Sequence, residues 1–235
     1  MALMIKEERY VINKNDVDLN GVATMYFIAD KFQGIASRHA DEINVGFDDV
    51  YKLGLLWVVM YEKYEVVSKL PALGDEIIVR TWPKKRNRLE FEREFELLDS
   101  NNNILVKGIS NWCLIDVEKR MISKATNVNF IGEYYDFTRY NEKSKRKLNL
   151  DDSNLVNYYS YTVISSDLDR NNHMNNAKYI NVINKIKNKK WNIIEIAFIH
   201  EARLNDEIKI YYDNSSYKGY VNNNLCFEAM IKWEE

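Results

Sequence analysis

Asp167-Leu168-Asp169-Arg170-Asn171-Asn172-His173-Met174-Asn175-Asn176 runs directly into Tyr179, Val182, Ile183 and Ile186, apolar residues spaced as one face of a helix. An earlier segment, Asp16-Val17-Asp18-Leu19-Asn20-Gly21, stands in the same relation to Val22, Met25, Ala29, Phe32 and Ala36. The correspondence continues downstream. Leu73-Gly74-Asp75-Glu76-Ile77 has its counterpart in Leu204-Asn205-Asp206-Glu207-Ile208, and Asn101-Asn102-Asn103-Ile104 precedes Trp112 by the distance at which Asn222-Asn223-Asn224-Leu225 precedes Trp233. Three matches in one order predict a duplicated unit. The offset between the copies shrinks along the chain, which predicts shorter loops in the second.

Strand patterns follow each predicted helix. Arg88 to Leu98 places Leu89, Phe91, Arg93, Phe95 and Leu97 on one face and acids on the other. Ile104 to Trp112, Glu195 to Ala202, Ile208 to Tyr212 and Leu225 to Trp233 also read as strands, with Asn-rich turns at Asp99 to Asn103 and Asn222 to Asn224. A helix followed by antiparallel strands is an α+β unit whose sheet wraps the helix's apolar stripe. The expected organisation is a first unit over residues 1–130, a connection over 131–154 and a second unit over 155–235. The connection is polar and contains Lys143-Ser144-Lys145-Arg146-Lys147, a basic run whose ordinary reading is a solvated one.

Composition narrows the function classes. With 46% apolar residues in 235, the chain can bury a sizeable core, which excludes a disordered segment. The 33 basic and 35 acidic side chains leave a net charge of -2, so nucleic acid or an anionic membrane has no global attraction to it. Cys113 and Cys226 form neither a CxxC pair nor a disulfide framework, as expected in a reducing compartment, and both lie within apolar alternation as small core residues. No stretch has the length and apolarity of a membrane span, and MALMIKEERY lacks a signal-peptide core, so a cytoplasmic location is expected.

Chemistry concentrates at Asp167 to Asn176. Helix capping explains one or two such Asp and Asn residues, because their oxygens accept bonds from unpaired backbone N–H groups. It does not explain His173. The first copy keeps Asp18 and Asn20 where the second has Asp169 and Asn171, but it has Val22 in place of His173. If one copy is catalytic, it is the second. A histidine titrating near neutrality can share a proton with a carboxylate, and a helix start favours a developing oxyanion.

The segment Asp169-Arg170-Asn171-Asn172-His173-Met174-Asn175-Asn176-Ala177-Lys178-Tyr179-Ile180 resembles the signature of the acyl-carrier-protein thioesterase family, the plant FatA/FatB type and its bacterial relatives. The likeness extends to Gln33, Ala36 and His39, to Thr81-Trp82-Pro83, and to Trp112-Cys113-Leu114-Ile115-Asp116. It implies a double hotdog fold and hydrolysis of fatty acyl-carrier thioesters, ending fatty acid synthesis, with no metal or diffusible cofactor. Carried over by position, it makes Asp169, Asn171 and His173 catalytic and adds a later acid, Glu201. Plant members follow that acid with a cysteine; here Ala202 stands there, which makes water the simpler nucleophile. Alternation along the predicted strand puts Glu201 on one face with Ala197 and Ile199 and turns His200 away.

Within that reading the thioester carbonyl lies against the second helix start, where backbone N–H groups and Asn171 hold the oxyanion. Asp169 and Glu201 orient or deprotonate water, and His173 relays the proton; direct attack by Asp169 is the variant mechanism. Met25, Phe32 and Trp57, with Ile35 and Tyr61, are candidates to line an acyl tunnel. Lys84, Lys85, Arg86 and Arg88 form the first candidate landing patch for an acidic carrier protein, with Lys143 to Lys147 and Lys185 to Lys190 as others. A homodimer is left open. The alternatives are an acyl-CoA thioesterase, a hydroxyacyl dehydratase on the same type of fold, and a noncatalytic acyl-binding protein.

Overall fold

Thr24 and Asn175 start the two long helices, each as an extended N-cap residue whose side-chain oxygen satisfies a backbone donor: Thr24 Oγ1 accepts from Phe27 N–H at 3.2 Å, and Asn175 Oδ1 from Ala177 N–H at 2.9 Å. The computed structural model describes residues 3–140, 145–187 and 190–234. The chain divides into two units, one comprising the chain up to Val59 with the stretch from Val66, the other comprising Met60–Glu65 and the chain from Lys145 onward.

The first unit contains β1 (Lys6–Val11), α1 (Met25–Glu42), a short α2 (Phe47–Tyr51), the start of β2 (Leu55–Val66), β3 (Glu76–Pro83), β4 (Glu90–Asp99), β5 (Ile104–Asp116) and β6 (Met121–Ile122). Its strands pair antiparallel in the order β1-β3-β4-β5, with β6 on β5. Helix α1 buries Met25, Phe27, Ile28, Ala29, Phe32, Ile35, Ala36 and His39, and Phe32 stacks on Phe95 of β4 at 5.0 Å between ring centroids. Arg93 shares that inner face. It is buried, and its Nη1 meets His39 Nδ1 at 3.0 Å and Thr81 Oγ1 at 3.3 Å.

Two acids of β4 do not face solvent. Glu94 and Glu96 are buried because residues 134–140 fold over that side: Arg139 N–H donates to Glu94 Oε2 at 2.5 Å, Arg139 and Arg80 pair with Glu96, and Trp82 Nε1 donates to Phe137 C=O at 3.0 Å. Phe130 and Tyr134 pack on a cluster that includes Phe91, Leu114 and Val128.

The second unit contains residues 60–65 of β2, then β7 (Asn157–Thr162), α3 (Asn176–Ile186), β8 (Trp191–Phe198), β9 (Glu207–Tyr212), β10 (Ser216–Val221) and β11 (Asn224–Trp233), in the sheet order β2-β8-β11-β10-β9-β7. Helix α3 buries Ala177, Tyr179, Ile180, Val182 and Ile183, and the Tyr179 ring meets the Phe198 and Phe227 rings edge-on at 5.4 and 5.3 Å. Asn222 and Asn223 both take positive φ (49° and 64°), the backbone that a tight two-residue hairpin needs and that Asn tolerates.

The shrinking offset comes from shorter elements more than from the shorter loops expected. Helix α3 has 11 residues against 18 in α1, and the second unit has no described counterpart of α2. The later contraction combines shorter strands, 6 residues each in β9 and β10 against 8 in β3 and 10 in β4, with a shorter connection between them.

Candidate active site

The loop before each helix is held by the same bonds. Asp18 Oδ1 accepts from Asn20 N–H at 2.9 Å and Val22 N–H at 3.0 Å, while Asp18 N–H donates to Val22 C=O at 2.8 Å. Asp169 Oδ1 accepts from Asn171 N–H at 2.8 Å and His173 N–H at 3.1 Å, and Asp169 N–H donates to His173 C=O at 2.8 Å. Gly21 (φ 73°) and Asn172 (φ 59°) close the two turns. Asp16 and Asp167 each accept a tyrosine hydroxyl, from Tyr10 at 3.1 Å and Tyr161 at 2.7 Å, and a backbone N–H three residues upstream. The aspartates therefore build the loop in both copies, whichever copy reacts.

A second loop repeats as well. Ala72 N–H donates to Asp75 Oδ2 at 2.9 Å and Arg203 N–H to Asp206 Oδ2 at 2.7 Å; Ala23 N–H donates to Pro71 C=O and Met174 N–H to Ala202 C=O, both at 2.8 Å. Val22 bridges Ala72, and His173 bridges Arg203. These bonds put the two copies in register and align Glu201 with Leu70. On a shared frame, three of the positions at which the copies differ bring new polar groups: His173 for Val22, Glu201 for Leu70 and Arg203 for Ala72. The three new groups meet. His173 Nε2 lies 3.3 Å from Glu201 Oε2, and Arg203 Nη2 lies 2.5 Å from Glu201 Oε1.

Glu201 is not on a strand. β8 stops at Phe198, because the Cys226 carbonyl accepts both Ile199 N–H (2.8 Å) and His200 N–H (3.1 Å), which bends the chain out of register. The alternation expected through Ala202 therefore fails, and the ensuing loop, pinned by the Ala202 carbonyl, presents Glu201 to His173. His200 is exposed, and Ala202 is fully buried. Arg203 escapes the sequence reading, although extending the Leu73/Leu204 match upstream sets it against Ala72.

Backbone donors in this loop are largely committed. The N–H groups of Asn171, His173, Met174, Asn175, Ala177 and Lys178 all bind acceptors within the fold. Among the described residues, the half-buried Asn171 side-chain amide and Asp169 Oδ2 make no hydrogen bond, so both can serve a ligand. Neither cysteine suits nucleophilic attack. Both are buried, and burial pushes the Cys226 thiol up to about 11.

The remaining candidates belong to other elements. Met25 and Phe32 are on the buried face of α1; Trp57, half-buried, donates Nε1–H to Val45 C=O at 2.7 Å and packs edge-on against Phe91 at 4.8 Å. Ile35 is buried on α1, and the Tyr61 hydroxyl donates to Glu195 Oε2 at 3.1 Å within the second unit. In the first basic run, Lys84 pairs with Glu92 (3.2 Å) and Glu94 (3.5 Å), and Arg86 donates to the Ala125 and Val128 carbonyls, whereas Lys85 and Arg88 are exposed. Lys145 pairs with the buried Glu195 at 2.9 Å, and Lys187 donates to Asn214 C=O at 3.1 Å. Lys143 and Lys189 lie outside the described residues.

A helix wrapped by an antiparallel sheet, present twice, is a double hotdog, and the His173–Glu201–Arg203 cluster at the loop of its second copy is a candidate site. Among solved structures, an acyl-ACP thioesterase from Bacteroides thetaiotaomicron matches with a TM-score of 0.84 over 98% of both chains at 21% identity. The 12:0-ACP thioesterase from Umbellularia californica matches with a TM-score of 0.82 over 98% of this chain and 97% of that one at 19% identity. The profile of the acyl-ACP thioesterase N-terminal domain matches residues 4–133 and that of the C-terminal domain residues 150–234, so the chain belongs to the acyl-ACP thioesterase family. It is 27% identical over 191 residues to oleoyl-acyl carrier protein thioesterase 1 of Arabidopsis thaliana, covering 74% of this chain and 52% of that protein. With an acyl-[acyl-carrier-protein] hydrolase of Cuphea viscosissima it shares 28% identity over 189 residues, 75% of this chain and 46% of that protein. The chain thus spans about half the length of these plant relatives. Among the described residues, no helix is long and apolar enough to cross a membrane.

Proposed function

We propose that the second unit hydrolyses the thioester between a fatty acyl chain and acyl carrier protein, releasing the free acid. One observation carries this reading: on a hydrogen-bonded frame common to both copies, the second replaces Val22 and Leu70 with His173 and Glu201, and those two side chains sit 3.3 Å apart. A duplicated scaffold that needed only to fold would have no use for that exchange.

In the proposed reaction, water attacks the thioester carbonyl carbon and gives up a proton to the His173–Glu201 pair. The Asn171 amide donates to the oxygen that gains charge, and Asp169, bound through Oδ1 to the loop, turns Oδ2 toward the water. Collapse of the tetrahedral intermediate breaks the carbon–sulfur bond, and the departing thiolate takes its proton from His173. Proton transfer of this kind supplies roughly a hundredfold to ten-thousandfold in rate, and a positioned oxyanion donor roughly a hundredfold to a thousandfold. Met25, Phe32 and Trp57 are assigned to chain-length selection; at roughly 0.8 kcal/mol per buried methylene, two carbons shift preference by about tenfold.

Lys85 and Arg88, the exposed members of the first basic run, are assigned to the acidic carrier. Thiol release from acyl chains of graded length, each on the carrier protein and on coenzyme A, tests the substrate. The carrier-linked series should be faster, and Lys85→Ala with Arg88→Ala should weaken it at low salt while sparing the coenzyme A series. Equal rates on both thiols, with equal losses, would reassign the substrate to coenzyme A esters.

A further inference from the structure

We infer that Arg203 is a positioning residue for this hydrolysis, holding the Glu201 carboxylate so that Oε2 faces His173; the inference rests on the functional reading above. The two carboxylate oxygens have different partners. Oε1 takes Arg203 Nη2 at 2.5 Å, and Oε2 lies 3.3 Å from His173 Nε2. A carboxylate turns readily about its terminal bond, and a proton relay needs one oxygen kept on line with the imidazole. The guanidinium fixes the other oxygen and so stops that rotation.

The backbone makes Arg203 a suitable anchor. Its N–H is tied to Asp206 Oδ2 at 2.7 Å, and the residue bridges His173 directly, so the arginine and the histidine spring from one short ladder. Glu201 comes from the irregular chain just upstream, where no strand fixes its direction. In the first copy the arginine and the acid are absent together, with Ala72 and Leu70 in their places. Stability does not account for the pair: the Arg203 and Glu201 side chains are 57% and 37% exposed, and an ion pair that exposed adds little to folding.

The test measures kcat and KM for thiol release from a carrier-linked acyl substrate, with wild type, Arg203→Met, Arg203→Lys, Glu201→Gln and the Arg203→Met/Glu201→Gln double variant. Misorienting a catalytic group by about an ångström costs up to a hundredfold, so Arg203→Met should lower kcat about tenfold to a hundredfold with KM changed less than about twofold. Arg203→Lys should recover part of the loss, and in the Glu201→Gln background Arg203→Met should cost nothing further. Thermal unfolding of every variant should match wild type. A raised KM at unchanged kcat would make Arg203 a substrate or carrier contact instead, and multiplicative losses in the double variant would show that it does not act through Glu201; either result overturns the inference while leaving the hydrolase intact. A wild-type protein that releases no thiol, or a fully active Glu201→Gln, would instead refute the functional reading and the inference with it.

Discussion

Glu62→Gln should remove a pH-dependent penalty built into the second unit. Glu62 lies on the part of β2 that pairs with β8, opposite Ile196; it is 3% exposed, and its Oε2 has no hydrogen-bond partner among the described residues. Burial pushes its carboxyl up from 4.5 to about 7, opposed only by a hydrogen bond with Tyr64. Between those values the folded chain holds a proton that the unfolded chain releases, so stability falls as pH rises through this window and levels off above it. At roughly 1.4 kcal/mol per pH unit across the interval from 4.5 to about 7, the full penalty is ~3 kcal/mol. Gln, the isostere of the protonated acid, carries none of it. Urea unfolding of both proteins at several pH values between about 5 and 8 should give near-equal stability at the acid end and a variant more stable by up to ~3 kcal/mol at the alkaline end. Taking the difference between the two proteins cancels every other titration. A difference independent of pH, or a wild type more stable at about pH 8, would refute the reasoning.

The first unit should respond to acid in the opposite sense. Burial, with the Arg93 charge, holds His39 down from 6.5 to about 4, so the native state binds fewer protons in that window and stability is lost as pH falls; His39→Gln should flatten this slope in the same urea series, and an unchanged slope would reject the assignment. Asp169→Asn keeps an Oδ1 acceptor for the two loop N–H groups, so its Tm should stay within a few degrees of wild type while thiol release falls about a hundredfold or more. Asp18→Asn should change neither quantity, and a fully active Asp169→Asn would restrict Asp169 to building its turn. Gly219→Ala would set a Cβ 2.1 Å from the Phe227 ring, and overpacking of this kind costs roughly 1–3 kcal/mol or more, measurable as a lower urea midpoint; an unchanged midpoint would mean that the ring gives way without cost.

The duplicated loop and both helices are legible in the sequence because their signals are local: an Asp two residues before an Asn, then a stripe at helical spacing. The structure sharpens the capping reading of that loop, since the helix cap proper is Asn175 and the upstream aspartates hold a separate turn. Alternation puts Glu94 and Glu96 on the face opposite Phe91 and Phe95 but sees only their own strand, and the segment that buries them arrives from some forty residues downstream. Glu201 is reached by resemblance, but its strand is drawn too long: period two carries no mark of the point where two N–H groups share the Cys226 carbonyl and the chain leaves the ladder. Arg203 stays hidden because an exposed arginine in a loop is unremarkable until the repeat is used to ask what the other copy has there.

Chemistry confined to the second copy is the central claim, and the most direct test gives His173 the residue that the first copy carries. His173→Val should leave the thermal unfolding curve near that of wild type, because the loop is held by Asp169 and backbone bonds, and should cut kcat for thiol release from a carrier-linked acyl thioester by about a hundredfold or more. Thiol release by the folded His173→Val protein at close to the wild-type rate would contradict it.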